Sequence, residues 1–268
     1  MTRLRMIAVL FLVLVAAACF LAAYIAPAGY AHQFRDIPDA ACSRQHLLGT
    51  DDLGRDRFAR LLYGTRVSLA LAPAAALLST LLAALIGGTA GFAGGWLEGT
   101  VMSATDLVLS LPWFFLLITV RALLPLNVDP HTSVLITFAL LGCLGWAGVA
   151  RVVCADVRSL GNSDMVLLAR ASGIGGFRLL WRHVLPNLKP VLSAQFWISI
   201  PVFILAEANL GILGLGVAEP LPSWGSLLRE LEGLAAVSAR PWQFLPLLVL
   251  ILTVSCFHLA FEKEELSI

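Results

Sequence analysis

The sequence predicts an all-α integral membrane protein of about six transmembrane helices, and three observations carry that prediction. Of 268 residues, 59% are hydrophobic and 13% are charged, against roughly 45–50% and about 25% in soluble domains. The mean hydropathy is +0.87. Six windows approach or exceed the roughly 20 mostly apolar residues that a helix needs to cross a bilayer: Met6–Ala26, Val67–Ala90, Val101–Leu124, Val134–Val153, Val191–Leu215 and Phe244–Ala260. A chain of this length cannot hide so much apolar surface in one core, so lipid is its expected solvent. The formal net charge of +1 supplies no general field for nucleic acid, and none is expected as a partner.

In chain order, residues 1–28 read as an N-terminal anchor helix. The basic start "MTRLR" resembles a secretory signal, and "AAAC" ending at Cys19 faintly resembles lipoprotein processing. The apolar run of about 20 residues is longer than the 7–15 of a signal core, which favours an uncleaved anchor. Residues 29–66 form a charged segment before the second span. Its Asp51, Asp52 and Asp56 are oxygen donors of the kind that hold cations, but Arg55 and Arg57 accompany them, and an internally ion-paired turn is the expectation. In the second span Gly87, Gly91 and Gly95 recur every four residues, a spacing that admits a close neighbouring helix. That neighbour belongs to this chain or to a partner subunit.

Asp106 in the third span and Glu207 in the fifth are single carboxylates at membrane depth. No Lys, Arg or His partner within the spans is expected for either. Such residues face a cavity or a polar partner, and structural contacts are expected over a proton relay. Pro112 and Pro201 are expected to kink their helices. The five cysteines, Cys19, Cys42, Cys143, Cys154 and Cys256, form no CxxC pair or Cys/His cluster and read as buried, inert thiols. No GxxxxGK[ST], HExxH or GxSxG motif is present, so neither catalysis nor a cofactor is expected in this chain.

Positive charge sets the orientation. Arg3 and Arg5 lie at the start, and six basic residues between Arg151 and Lys189 outweigh Asp156 and Asp164. Both termini and residues 154–188 are therefore expected in the cytoplasm, and residues 29–66 outside.

The segment 154–188 interrupts the apolar pattern. "DMVLLARASG" predicts two to three helical turns broken by Gly173, Gly175 and Gly176, and "FRLLWRHVLP" predicts a second short helix ended by Pro186. Phe177, Leu180, Trp181 and Val184 form an apolar stripe on it, with Arg178 and Arg182 on another side. Arginines on lipid phosphates and docking to a soluble partner are the two readings open here.

The residues now resemble a known family. Permease subunits of ATP-binding-cassette importers carry a cytoplasmic loop of the form EAA, three residues, Gly, then a stretch ending in His and Pro. "LLARASG" and "RHVLPN" match it at Ala169, Gly173, His183 and Pro186. "HLLGTDDLGRDRFARLLYGTRVSL", "GFAGGWLEGTVMSATDLVLSLP" and "ILAEANLGILGLGVAEPLPSWGSLL" are similar to segments of the dipeptide/oligopeptide/nickel group, second-permease type, and bring in Asp106, Glu207, Pro222, Trp224 and Gly225. The sequence departs from the pattern where Leu167 replaces the loop Glu, Leu168 replaces its first Ala, and "AFEKEELSI" replaces the usual tail.

The resemblance implies a type I importer permease: a core over residues 67–260 containing the coupling loop 154–188, then a cytoplasmic tail at 261–268. It implies a second homologous permease, two ATPase subunits and an extracytoplasmic solute-binding protein as partners, beside the lipid bilayer. It implies that the loop, with Leu167, Ala169, Arg170, Gly173, Arg178, His183 and Pro186, receives the work of ATP hydrolysis. Ala169 and Gly173 would allow the ATPase close, Arg170 would add a charged contact, and the second helix would pass the motion to the fifth span. The outer loop with Pro222, Trp224 and Gly225 would form a lip that touches the binding protein or the solute. Substrates of this group are dipeptides, longer peptides and nickel chelates. The rival class is a secondary transporter without ATPase partners.

Overall fold

The computed structural model describes residues 3–125, 128–174, 176–179, 182, 184–232 and 241–261. The elements are helices α1 (Arg3–Phe20), α2 (Ala22–Ile25), α3 (Arg57–Ala93), α4 (Gly95–Ser110), α5 (Trp113–Leu123), α6 (Pro130–Leu144), α7 (Trp146–Gly161), α8 (Asp164–Ala171), α9 (Gly176–Leu179), α10 (Leu185–Ile212), α11 (Trp224–Arg229) and α12 (Leu245–Phe261). Short 3-10 turns cover Glu230–Glu232 and Pro241–Phe244. Among the described residues the only β-type pairings are the isolated bridges Gln33–Arg55 and Thr50–Asp56. The chain is all-α.

Among the described residues, five segments are long and apolar enough to cross a membrane: Arg3–Phe20, Arg57–Ala93, Pro130–Gly161, Leu185–Ile212 and Pro241–Phe261. The sixth expected span is the pair α4 and α5, which meet at 81°. The break falls at Leu111 and Pro112, where proline cannot continue the hydrogen-bond ladder and pushes the preceding residue out of the helical region. Pro201 does not break its helix. The helix α10 continues through it, as α3 does through Pro73.

The chain divides into two compact units. The first comprises Met1–Ala72, Val120–Phe138 and Ile200–Ile268. Within it α1 packs along α12, and the Arg5 Nε donates to the Ala260 carbonyl at 2.6 Å. Cys19, Ala22 and Leu62 form a small core with Phe58 and Tyr63. The helix α3 starts at Arg57, ten residues before the expected Val67. Asp56 accepts from the Ala59 amide at 2.7 Å and so caps the helix, while ion pairs neutralise Arg57 and Arg60.

The second unit comprises Pro73–Thr119 and Ala139–Ser199. Its core joins Ala83 of α3 to Val149, Ala150, Val153 and Val157 of α7 and to Val166, Ala169, Leu179, Val184 and Leu188. Gly87 and Gly91 lie against the backbone of Ala150 and Cys154, where any Cβ would collide. The close neighbour that the glycine spacing predicted is therefore α7 of this chain. Gly95 has open space instead and a φ of +60°. The cysteines are all free; Cys19 and Cys154 are buried as expected, whereas Cys42 and Cys143 are exposed.

Candidate functional site

The loop 154–188 has the predicted helix–break–helix form. Ser163 starts α8 and accepts from the amides of Val166 and Leu167 through its carbonyl. Gly173 ends the turn with φ +80°, and the Ile174 amide donates to the Ala169 carbonyl at 3.1 Å. This is the glycine-ended helix stop in which only a residue without Cβ takes the left-handed conformation cheaply. The apolar partner of that motif is also present, since Ile174 packs against the core that holds Ala169.

The helix α8 has two unlike sides. Val166 and Ala169 are buried, whereas Met165, Leu167 and Leu168 are 42%, 49% and 69% exposed. This corrects one sequence expectation. Ala169 is not a surface for a partner, because it packs into the chain's own core. Gly173 takes a backbone angle that favours glycine, with nothing within 4 Å of its absent Cβ.

Of the second short helix, Gly176–Leu179 is helical and Arg182 and Val184 have π-helical backbone. Pro186 lies in the first turn of α10, where the sequence reading had it end a helix. A proline in the first turn costs nothing, because its missing N–H has no intrahelical partner there. Arg178, Arg182 and Pro186 are exposed, and Leu179, Val184 and Leu188 enter the same core as Ala169. Arg170 belongs to α8, but its side chain, together with Leu180, Trp181 and His183, lies outside the described residues, as does the tail beyond Phe261.

Asp106 pairs with Arg151 of α7, and both side chains are 54% exposed. The expectation that no basic partner lay within the spans is thereby overturned. The signal was present, since Arg151 lies inside the fourth apolar window, but the adjacency of α4 and α7 is not written in either segment. A second pair, Arg158 to Glu98 at 3.1 Å, joins the same two helices.

Glu207 is fully buried, and its Oε2 accepts from the Ser68 hydroxyl at 3.2 Å. The Ser68 Oγ also faces the Trp224 amide at 3.5 Å. Glu207 therefore ties α10 to α3 and α11, which is the structural reading.

Trp224 is fully buried and Pro222 is buried, so neither meets a binding protein or solute, contrary to the lip expected from sequence. The loop is an internal plug. Ser223 and Ser226 cap α11 reciprocally, and Gly225 lies directly on the α10 backbone at Gly211.

This plug is held by an ion-pair cluster. Arg55 reaches Asp51 at 2.6 Å and Glu219 at 2.5 Å. Arg60, with no exposed side-chain surface, reaches Glu219 at 3.1 Å and Glu230 at 3.2 Å, and Arg57 reaches Glu230 at 2.8 Å. Asp56 pairs with His46 at 2.8 Å. The ion-paired turn expected at Asp51–Arg57 is thus real, but it extends to Glu219 and Glu230, more than 150 residues away.

Burial raises Glu219, but Arg60 and Arg55 outweigh it and hold its carboxyl below the usual range. Burial pushes Glu230 up in spite of Arg60 and Arg57. A depressed carboxylate contributes stability above its unfolded value and loses it as pH falls through the folded value. A raised one contributes below its unfolded value and loses as pH rises through the folded value. The melting temperature of the solubilised chain is therefore expected to fall below about pH 4, and Glu219→Gln should flatten that fall. A wild-type acid limb unchanged by Glu219→Gln refutes this assignment.

The comparisons with known proteins agree with this architecture. The profile of the family described as "Binding-protein-dependent transport system inner membrane component" matches residues 67–262. The chain is 33% identical over 81% of its length to the Dipeptide transport system permease protein DppC of Bacillus subtilis (strain 168), covering 66% of that protein. It is 34% identical over 82% of its length to the Oligopeptide transport system permease protein OppC of the same strain, covering 70% of it. Against OppC of Mycobacterium bovis the identity is 31% over 90% of this chain and 82% of the relative. The chain thus spans about two thirds of the length of the first two. Matched through the whole core of α3 to α12, this all-α, multi-pass inner membrane protein belongs to the family of inner membrane components of binding-protein-dependent transport systems, and within it is similar to the dipeptide and oligopeptide permeases.

Proposed function

We propose that this chain is one of two unlike permeases of an ATP-driven importer for peptides or related small solutes, and that α8 is the element on which a cytoplasmic ATPase docks. The observation that carries this reading is the outward apolar side of α8. Met165, Leu167 and Leu168 are exposed on a helix that lies outside every apolar span, and so large an apolar surface on a short polar-flanked helix fits a groove in a partner. The relatives compared are named as dipeptide and oligopeptide permeases, which favours peptides over nickel chelates.

The same packing supplies a route for coupling. Ala169, Leu179, Val184 and Leu188 share one core with α7, so displacement of α8 moves the start of α10 through side-chain contact. In this reading the termini and α8 face the cytoplasm and the ion-paired plug faces outward, in accord with the arginines around residues 151–189. Solute arrives from a separate extracytoplasmic binding protein, and ATP hydrolysis takes place in two partner subunits.

The test is a pull-down of the tagged chain from gently solubilised membranes, with mass spectrometry of what accompanies it. Recovery of a second permease and ATPase subunits is expected. A chain that elutes alone, yet moves peptide in vesicles without ATP, turns the assignment to a secondary transporter.

A further inference from the structure

The helix α7 differs from the other spanning helices. Apolar residues run all round α3, α6, α10 and α12. In α7 the buried positions Ala147, Val149, Ala150, Val153, Cys154 and Val157 keep to one side. On the other side Arg151, Ala155, Arg158, Ser159 and Asn162 fall at relative positions 0, 4, 7, 8 and 11, one stripe of a helix. All five are exposed. Together with Glu98 and Met102 of α4 they line an open groove of about 440 Å³, within the range of about 300–1,000 Å³ that small-molecule sites occupy.

Two ion pairs join α4 to α7 at different depths, Arg158–Glu98 between two residues of the groove lining and Arg151–Asp106 from the lining residue Arg151 to Asp106 beside it. At 1.5 Å per residue, Arg151 stands roughly 10 Å further into the span than Arg158, and Asp106 about 12 Å further along α4 than Glu98. Half-exposed charges at that depth are not tolerated against acyl chains; they face water or protein polar groups. Each pair is already neutral within this chain, so neither needs a counter-charge from a neighbouring subunit. Each also has unused capacity. A guanidinium has five N–H donors and a carboxylate about four lone-pair sites, and a single contact between the half-exposed Arg151 and Asp106 leaves most of them free for another partner.

We propose that this groove is part of the solute path, and that the Asp106–Arg151 pair receives the two charged ends of a zwitterionic solute such as a short peptide. The carboxylate of Asp106 accepts from the solute ammonium while Arg151 donates to the solute carboxylate, so the pair opens from a mutual contact into a four-charge cluster. No net charge is created at depth during the exchange, which keeps the site passable. This proposal rests on the importer reading above.

The test uses the complete reconstituted transporter with its five native cysteines replaced by alanine, and two positions compared. Ala155→Cys lies in the stripe between the two arginines. Leu85→Cys is also exposed, on the uniformly apolar α3. Cationic and anionic methanethiosulfonates are applied to both faces. Cysteine at 155 should react at least about tenfold faster than at 85, its modification should block ATP-driven uptake, and millimolar trialanine should slow its labelling. Adding Asp106→Asn should shift the anionic-to-cationic rate ratio upward by about threefold or more, because Arg151 loses its partner; Arg151→Gln should shift it the other way. Equal labelling at 155 and 85 overturns the proposal and places another subunit or lipid on this face. Fast labelling that leaves uptake intact overturns it also. Absence of ATP-driven uptake in the unsubstituted transporter is a different failure, that of the importer reading itself.

Discussion

Gly225→Val is expected to remove the chain from the membrane. In the native protein the Gly225 backbone rests on that of Gly211, and a Cβ there would stand 2.6 Å from the Gly211 Cα, 2.9 Å from the Glu207 carbonyl and 3.1 Å from the Ala208 carbonyl. These are main-chain atoms of α10, which cannot rotate aside as a side chain does. Overpacking of a core by flexible side chains costs about 1–3 kcal/mol; a collision of two backbones exceeds that, on the order of 4 kcal/mol or more, a large part of a typical total stability of 5–15 kcal/mol. The loss would propagate. The helix α11 carries Trp224, fully buried, and its amide end meets Ser68, which in turn holds Glu207. Lifting α11 strips the cover from that carboxylate and leaves it held by Ser68 of α3 in an apolar region. Membrane abundance after expression should fall at least about fivefold, with the remaining chain cleaved by protease in the segment between α10 and α12. Gly29→Val, where nothing lies within 4 Å of an added Cβ, is the control and should be near wild type. Equal abundance of the two variants contradicts the close approach.

How much of this was legible in the sequence follows from the range of the interactions involved. The six spans were legible because hydropathy is a property of contiguous residues, and all six windows correspond to helices or to the bent pair. The stop at Gly173 was legible for the same reason, since a glycine after two to three turns is a local signal. The start of α3 was not. Arg57 and Arg60 look like the end of a loop until Glu230 and Glu219 are known to neutralise them, and that information lies more than 150 residues away. Asp106 was recognised as unusual, but its partner Arg151 was missed, because nothing in either apolar window says that α4 and α7 are neighbours. A polar stripe on α7 was available as a signal all along: the spacing of Arg151, Ala155, Arg158 and Ser159 is readable without coordinates. Trp224 and Ala169 show the opposite failing. Both were assigned to a partner on the strength of a motif, and both are buried in this chain, so a motif residue often holds up the contact surface rather than forming it.

That distinction gives the second large effect, on α8, where neighbouring positions should fail for different reasons. Leu168 is 69% exposed and contributes little to this chain's own core, so Leu168→Glu should change its stability by no more than about 0.5 kcal/mol. If α8 sits in an ATPase groove, the same change places an unpaired charge in an apolar contact. Anchors of that kind are worth about 2 kcal/mol or more, equivalent to roughly 30-fold in affinity. ATP-driven uptake should therefore fall at least about tenfold, and the ATPases should be lost from the pull-down, while the chain's abundance and melting temperature stay as in wild type. Val166, two residues earlier, is fully buried against α7. Val166→Glu buries a charge without a partner, and should lower abundance and melting temperature before any question of docking arises. The pair separates a docking face from a packing face on one eight-residue helix. Uptake unchanged in Leu168→Glu removes α8 as the docking element, and equal destabilisation by both substitutions shows that its outward side is already covered by this chain.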